Sequence, residues 1–297
     1  FSNGNPANDN AKNMVEPADR SNPDGRHGGD IQGIMNHLDY LSASGFTGVW
    51  INPLLENNNP EFSYHGYAAT DFYKVDPRFG TNASYLNLVN ACHQRGLKVV
   101  MDVIFNHCSV HHWLIKDLPS PEWIHQFDEY TPSNFRASTL PDPHASEFDK
   151  KRMLTGWFDR TMPDLDQTNT FLARYLIQNS IWWIEYAGLD GIRMDTYPYS
   201  DKAFMVDWIR RIRMEYPYFN GVGETWLQTE SPPTSWQDDA RNSDGFDSDL
   251  PAVTDVPKHY ALTKAFTEEE GWTAGLARLY YVLTQDFLYP DPGNVVI

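Results

Sequence analysis

Two carboxylic acids each end a short apolar run in the second half of the sequence. Asp195 closes residues 191–195 (GIRMD), and Glu224 closes residues 221–224 (GVGE). Such runs predict buried parallel strands, and in a (β/α) barrel the C-terminal ends of the strands converge on one pocket. Hydrolysis of a glycosidic bond requires at least two carboxylic acids in one pocket, with one as nucleophile and the other as acid/base.

Arg193 lies two residues before Asp195, so both side chains point to the same side of the predicted strand. A guanidinium at this position would keep the carboxylate of Asp195 ionised and oriented. We therefore predict that Asp195 is the nucleophile and Glu224 the acid/base, about 5 to 5.5 Å apart as retaining glycosidases require. The alternative is that each is an ordinary strand-end acid that makes a cap or an ion pair.

Strand and helix patterns alternate along most of the chain. Apolar runs typical of buried strands occupy residues 46–53, 97–105, 189–195, 218–224 and 294–297, with a weaker candidate at 246–253. Helical periodicity occupies residues 31–41, 85–96, 170–187, 202–216 and 272–287. The alternation predicts an α/β fold, a (β/α)8 TIM-type barrel. Because fewer strands are found than the eight of a closed barrel, we expect a barrel that is incomplete in this chain and truncated at both ends.

Residues 107–166 interrupt the alternation. They contain six prolines and no sustained period. A structureless loop of this length is uncommon in a compact domain, so we predict a small inserted domain after the third strand. The barrel would then comprise residues 1–106 and 167–297.

Composition excludes some classes of partner. The 297 residues carry 40 acidic and 23 basic side chains, a net charge of −17, which argues against nucleic acids and anionic membranes. The sequence contains no uncharged apolar run of about 18 residues, so we predict no membrane-spanning helix. Cys92 and Cys108 are expected to be free thiols. Because Phe1 is not a natural start, a leader could have been removed, and a periplasmic or secreted location is expected.

Four short motifs occur in an order that resembles the α-amylase family, glycoside hydrolase family 13. They are residues 102–107 (DVIFNH), 162–166 (MPDLD), 191–195 and 221–224. The resemblance spans essentially the whole chain and is greatest to enzymes of the neopullulanase and cyclomaltodextrinase type.

The resemblance implies individual roles. Asp195 would attack the anomeric carbon and Glu224 would protonate the leaving oxygen. His107 would bind a sugar hydroxyl, and Tyr67, within the sequence YHGY, would stack on that sugar. Arg193 and Trp226 complete the predicted substrate-binding residues. The alternatives are a core-packed aromatic ring for Tyr67 and a structural histidine for His107.

The chain departs from the family pattern in three places. The family's first strand should precede Phe1. The family's Asn-His-Asp signature, which would supply a third catalytic carboxylate, should follow Ile297, so the isolated chain is expected to be inactive. Residues 196–199 read TYPY, where many members carry a Lys-His pair that binds substrate.

The first 30 residues are rich in oxygen ligands of the kind that calcium prefers. They resemble the N-terminal calcium loop of neopullulanases and cyclomaltodextrinases. The candidate ligands are Asn3, Asn5, Asn8, Asp9, the carbonyl of Gly28, and Asp30. The alternative is a merely polar loop, since Asn, Asp and Gly also dominate turns.

Two functions remain open from the sequence. The first is a retaining hydrolase of α-glucans, acting on starch, pullulan, maltooligosaccharides or cyclodextrins. The second is a non-catalytic amylase-like protein that binds carbohydrate or another protein. The open sheet edges of an incomplete barrel favour pairing with another chain, as in a homodimer.

Overall fold

A computed structural model describes residues 1–227 and 231–296, which form two compact units. Unit 1 comprises Phe1–Thr131 and Trp157–Ile192, and unit 2 comprises Pro132–Gly156 and Arg193–Ile297. Within the described residues, every helix is too short or too polar to span a lipid bilayer.

The helices and strands alternate as the sequence predicts. The helices are α1 (Ile31–Met35), α2 (Leu38–Ala43), α3 (Asn82–His93), α4 (Trp113–Lys116), α5 (Glu147–Thr155), α6 (Thr170–Ala187), α7 (Lys202–Glu215), α8 (Ser231–Thr234), α9 (Val256–Thr267) and α10 (Ala277–Leu283). The strands are β1 (Gly48–Ile51), β2 (Leu55–Glu56), β3 (Asp71–Val75), β4 (Lys98–Val103), β5 (Gly191–Met194), β6 (Asn220–Gly223), β7 (Ala252–Thr254) and β8 (Val295–Val296).

Unit 1 is built around parallel strands. β1 pairs with β4 in parallel, with Gly48 opposite Lys98. The backbone N–H of Asp190 donates to the carbonyl of Val99, which places the start of β5 beside β4. β4 is buried along most of its length, because helices cover a parallel sheet on both faces.

Helix α6 packs against α3 and β3 in unit 1. Asn169 caps its N-terminus, and Gly188 ends it in the left-handed conformation that glycine adopts without steric cost. The amide of Asn179 and the indole of Trp183 both donate to the carbonyl of Phe72 at 2.8 and 2.9 Å. These bonds satisfy polar groups that would otherwise be buried without partners.

Unit 2 continues from the end of β5. The backbone N–H of Glu224 donates to the carbonyl of Met194, which pairs β5 with β6. β7 lies parallel to β6, and β8 lies parallel to β7. A Cβ atom on Gly221 would lie 2.8 Å from Ile209 Cδ1, so this glycine allows α7 to press closely on β6.

Most predicted elements are confirmed, and the differences have local causes. The helix expected over 31–41 is two short helices separated at Asn36 and His37. The weak strand candidate lies at the end of its predicted range, at Ala252–Thr254, and the strand expected at 294–297 is observed as Val295–Val296. Ile297 lies outside the described residues. The prediction missed β2, β3, α4, α5, α8 and α9, whose lengths or mixed polarity give a weak periodic signal. The helix expected over 272–287 is shorter, at Ala277–Leu283.

The predicted inserted domain holds only short elements. Residues 132–156 of this segment belong to unit 2, and its remainder belongs to unit 1. Its boundaries at 107 and 166 stay a prediction. Cys92 and Cys108 are both buried free thiols, which confirms the expectation of no bridge.

Candidate active site

The two predicted catalytic acids lie at the C-terminal ends of neighbouring strands. Asp195 follows β5 directly and Glu224 follows β6. The hydrogen bond from Glu224 N to Met194 O, at 2.9 Å, fixes the register of these strand ends. Only 6% of Asp195 is exposed, so its carboxylate is largely withdrawn from water.

Arg193 joins the two carboxylates through one guanidinium. Its Nη1 lies 2.5 Å from Asp195 Oδ1, and its Nη2 lies 2.8 Å from Glu224 Oε1. The arginine is itself 95% buried, so bulk solvent screens these ion pairs weakly. The prediction that Arg193 lies beside Asp195 is confirmed, and its contact with Glu224 is an addition that strand spacing alone did not give.

Thr196 orients the acid/base candidate from the main chain. Its backbone N–H donates to Glu224 Oε2 at 2.8 Å. Thr196 adopts the left-handed conformation, with φ of 46°, which is rare for a β-branched residue. Backbone strain of this kind persists where the surrounding structure over-determines it, and it clusters at functional sites. The sequence carried no signal for this role, because every residue type except proline supplies a backbone N–H.

Two close contacts hold the strand that presents Glu224. A Cβ atom on Gly223 would lie 2.6 Å from Leu250 Cδ2 and 2.8 Å from Tyr197 Cγ, so only glycine lets these side chains pack on β6. Thr225 donates its backbone N–H and its hydroxyl to Thr254, at 2.9 and 3.1 Å. The residues directly before and after Glu224 are therefore both held in place by neighbouring segments.

Two aromatic residues accompany the carboxylates in unit 2. Burial, with the negative charges of Glu224 and Asp195, raises the pKa of Tyr199 to about 12, so its hydroxyl stays protonated. The side chain of Trp226 is 65% exposed, and its indole N–H donates to the hydroxyl of Tyr260 at 3.1 Å. An exposed indole held in one orientation suits the predicted contact with substrate.

In unit 1, Asp102 orients the predicted stacking residue Tyr67. Asp102 Oδ2 accepts hydrogen bonds from the Tyr67 hydroxyl at 3.3 Å and from the Trp50 indole at 3.0 Å. The backbone N–H of Tyr67 donates to His65 Nδ1 at 2.9 Å, and the two rings stack at 5.8 Å. Sequence reasoning missed Trp50, because its position within β1 reads as an ordinary core aromatic.

His107 is fully buried in unit 1 and stacks on Phe158, with 4.6 Å between ring centroids. Burial and the neighbouring His65 lower the pKa of His107 to about 3. The imidazole is therefore neutral at physiological pH and offers one donor and one acceptor. A neutral ring suits hydrogen bonding to a sugar hydroxyl better than proton transfer.

The predicted calcium ligands converge in the N-terminal loop of unit 1. The side-chain oxygens of Asn3 and Asn8 are buried and have no hydrogen-bond partner. Asn3 Nδ2 lies 2.8 Å from Asp9 Oδ1, and a Cβ atom on Gly28 would lie 3.0 Å from the same oxygen. Orphaned buried oxygens are costly unless a cation or water satisfies them, so this donor set fits calcium.

Asp30 organises the same loop. Its carboxylate caps helix α1 through Gly33 N at 2.6 Å and accepts the backbone N–H groups of Gly4 and Asn5 at 2.9 and 2.8 Å. It also accepts a longer bond of 3.3 Å from Asn8 Nδ2. These contacts bring all six predicted ligand residues into one loop cluster, and their role as ligands stays a prediction.

A buried ion network ties this loop to the segment before Tyr67. Asp76, which is fully buried, accepts from Arg78 at 2.7 and 2.9 Å and from Arg26 at 3.3 Å. Arg26 also donates to the carbonyl of Ser63 at 2.9 Å, at the start of the turn that leads to Tyr67. The network was not evident from the sequence, because Arg26 and Asp76 are 50 residues apart.

Comparison with known proteins decides the family. The family model described as "Alpha amylase, catalytic domain" matches residues 1–258. The chain belongs to the α-amylase family. The predicted resemblance is thereby confirmed over most of the chain.

Two cyclomaltodextrinases and one α-amylase crystal structure illustrate the similarity of this amylase-family chain to known proteins. A cyclomaltodextrinase of Geobacillus thermopakistaniensis is 29% identical, with 99% of this chain and 46% of the relative covered. A cyclomaltodextrinase of Thermoanaerobacter pseudethanolicus is 30% identical, with 76% of this chain and 38% of the relative covered. The crystal structure of an Anoxybacillus α-amylase matches 99% of this chain and 58% of that chain, at 29% identity and a TM-score of 0.80.

The structural match confirms the predicted fold class, the α/β fold of barrel-type amylases. The amylase-family chain spans about half the length, or less, of the curated relatives it matches.

Proposed function

We propose that the full-length protein is a glycoside hydrolase that cleaves α-glucans with retention of anomeric configuration. The observation that carries the proposal is the pair Asp195 and Glu224, held by the single guanidinium of Arg193. Retention needs two carboxylates close enough for one to act as nucleophile, and a shared guanidinium keeps them close.

In this mechanism Asp195 attacks the anomeric carbon and forms a glycosyl-enzyme ester, while Glu224 gives its proton to the leaving oxygen. Glu224 then takes a proton from water, which hydrolyses the ester and restores both acids. Arg193 stabilises the carboxylate of Asp195 before attack and after release. The N–H of Thr196 keeps Glu224 oriented through both steps.

The roles proposed for unit 1 are binding roles. Tyr67 would present its ring to the apolar face of a glucosyl unit, with its orientation set by Asp102. The neutral imidazole of His107 would bind a hydroxyl of that sugar.

Starch, pullulan, maltooligosaccharides and cyclodextrins all remain candidate substrates, with α-1,4 and α-1,6 linkages both open. Relatives are named cyclomaltodextrinase, maltogenic α-amylase and α-amylase, which supports an α-glucan and leaves the choice among these substrates open.

The test is to incubate the full-length protein with starch, pullulan and β-cyclodextrin, and to follow the first product by proton NMR. We expect the α-anomer to form first and then to mutarotate. Initial formation of the β-anomer would contradict retention, and no product from any of the three would contradict the hydrolase. Residues 1–297 alone are predicted to show little turnover in the same assay.

The alternative function is a non-catalytic amylase-like protein that binds carbohydrate or another protein. Such a protein has no need of both acids, and the guanidinium that buried Asp195 shares with half-buried Glu224 favours catalysis. Retained binding without turnover would support the alternative.

We further propose a structural calcium ion in the N-terminal loop. Oxygens of Asn3, Asn5, Asn8, Asp9, Gly28 and Asp30 would hold it. The support is the buried, orphaned oxygens of Asn3 and Asn8, which a hard cation would satisfy.

Calcium removal is expected to lower the thermal midpoint, since an ion that binds only the folded form stabilises it. Excess calcium at about 100 times Kd would contribute about 2.7 kcal/mol. Differential scanning calorimetry with EGTA and with added calcium measures the shift. Asp9→Asn should abolish the calcium response, whereas Asp24→Asn, an exposed control in the same segment, should retain it. An unchanged midpoint in wild-type protein would refute the site.

We propose a periplasmic or secreted location, which cell fractionation tests, although one relative is named an intracellular maltogenic amylase. We also propose a homodimer of the full-length protein, which sedimentation velocity tests.

A further inference from the structure

Phe135 adopts a backbone conformation that a bulky residue rarely takes. Its φ is 55°, in the left-handed region, and its side chain is 51% exposed. This region costs about 1–2 kcal/mol for residues other than glycine. A folded protein retains such strain where neighbouring contacts enforce it, often at ligand clamps.

The turn around Phe135 is held rigidly by helix α5. Asn134 Nδ2 donates to the carbonyl of Asp149 at 2.9 Å, and the hydroxyl of Ser133 donates to the carbonyl of Met153 at 3.3 Å. A Cβ atom on Gly156 would lie 2.4 Å from Ser133 N, so the chain after α5 packs directly on this turn. The exposed ring is therefore presented from a fixed support.

The ring of Phe135 contacts the short turn that follows Asp195. It contacts Tyr199, with 6.3 Å between ring centroids and an interplanar angle of 58°. Tyr199 ends the short turn that follows Asp195, and the N–H of Tyr197 in this turn donates to the carbonyl of Glu224 at 3.2 Å. Helix α5 packs against the same turn.

We propose that Phe135, with Tyr199 beside it, forms an aromatic platform that binds a glucosyl unit of the α-glucan next to the cleaved bond. The inference rests on the proposed hydrolase and extends it by naming a substrate contact outside the four motifs. An aromatic face buries the apolar C–H face of a pyranose and leaves the sugar hydroxyls in water. A half-exposed ring on a rigid turn provides that face with little loss of side-chain entropy on binding.

The same segment offers a matched control. Phe148 is 71% exposed on α5, and its ring faces the guanidinium of Arg152 at 5.7 Å. If exposed phenylalanines of this segment served only to cover α5, replacing either ring would have the same effect. The platform predicts that only Phe135 affects sugar binding.

The experiment compares Phe135→Ala, Phe135→Trp and Phe148→Ala in the full-length protein. Calorimetric titration with maltoheptaose in the Asp195→Asn background gives Kd without turnover, and steady-state assays with Asp195 intact give KM. We expect Phe135→Ala to raise Kd and KM about tenfold, as loss of one aromatic contact implies. Phe135→Trp should restore most of the affinity, and Phe148→Ala should leave Kd unchanged.

Phe135→Gly separates binding from folding. Glycine adopts positive φ without strain, so the thermal midpoint of Phe135→Gly should be at least as high as that of Phe135→Ala. Both variants should bind maltoheptaose equally weakly. Equal Kd values for wild type, Phe135→Ala and Phe148→Ala would overturn the platform. Absence of turnover by wild type with a Phe135-dependent Kd would overturn the hydrolase and leave the platform standing. Absence of any maltoheptaose binding would overturn both.

Discussion

Asp195→Asn is expected to lower kcat of the full-length protein by on the order of 10⁴-fold or more, because the amide cannot form the glycosyl-enzyme ester. Asparagine has the same shape as aspartate and keeps one oxygen that can accept a hydrogen bond from Arg193, so the fold should persist. Initial rates on β-cyclodextrin or maltoheptaose measure the loss. Asp207→Asn, an exposed acid of α7 that pairs with Arg211, is the matched control and should retain full activity.

Glu224→Gln distinguishes the acid/base role from the nucleophile role. A substrate with an activated leaving group, such as a glycosyl fluoride, needs no proton from the enzyme in the first step. Its kcat/KM, which reports that step, should therefore fall much less than kcat/KM for maltoheptaose. Asp195→Asn should abolish both reactions. Equal losses of kcat/KM on both substrates for Glu224→Gln would contradict its assignment as proton donor, and full activity of Asp195→Asn would contradict the mechanism altogether.

Asp76→Asn is expected to lower the free energy of unfolding by about 3–5 kcal/mol, because it leaves Arg26 and Arg78 buried without their shared counter-charge. For a chain of this size the thermal midpoint should fall by about 6–10 °C. Chemical denaturation followed by tryptophan fluorescence measures the change. Asp39→Asn removes an exposed carboxylate that pairs with Arg95 and should cost less than about 1 kcal/mol.

The effect of Asp76 should also depend on pH. Burial by itself would raise the pKa of the Asp76 carboxyl, but hydrogen bonds from Arg78 and the charges of Arg26 and Arg78 hold it below its ordinary value. A lowered folded pKa stabilises the protein above the unfolded value of about 3.9, and this contribution is lost as the pH falls through the folded value. The midpoints of wild type and Asp76→Asn should therefore keep a constant difference above about pH 5 and converge as the pH falls below about 3.9. A constant difference down to pH 3 would contradict the assignment.

Much of the fold could be predicted from local patterns. Helix α6 occupies the predicted residues 170–187, because its apolar spacing, its Asn cap and its terminal glycine all act within a few residues of one another. The hairpin of β2 and β3 could not be predicted in this way, since its pairing depends on contacts between segments rather than on strand propensity.

The sequence by itself determined that Asp195 and Glu224 end buried strands, because a strand-end acid after an apolar run is a local pattern. It also determined the oxygen-rich N-terminal loop. Only the tertiary structure decided that Arg193 reaches Glu224 as well as Asp195, and that Phe135 stands against Tyr199. Spacing along one strand specifies the face on which a side chain lies. Contact between distant segments depends on strand register and on loop conformations such as the positive φ of Phe135, which are fixed by packing of the folded chain.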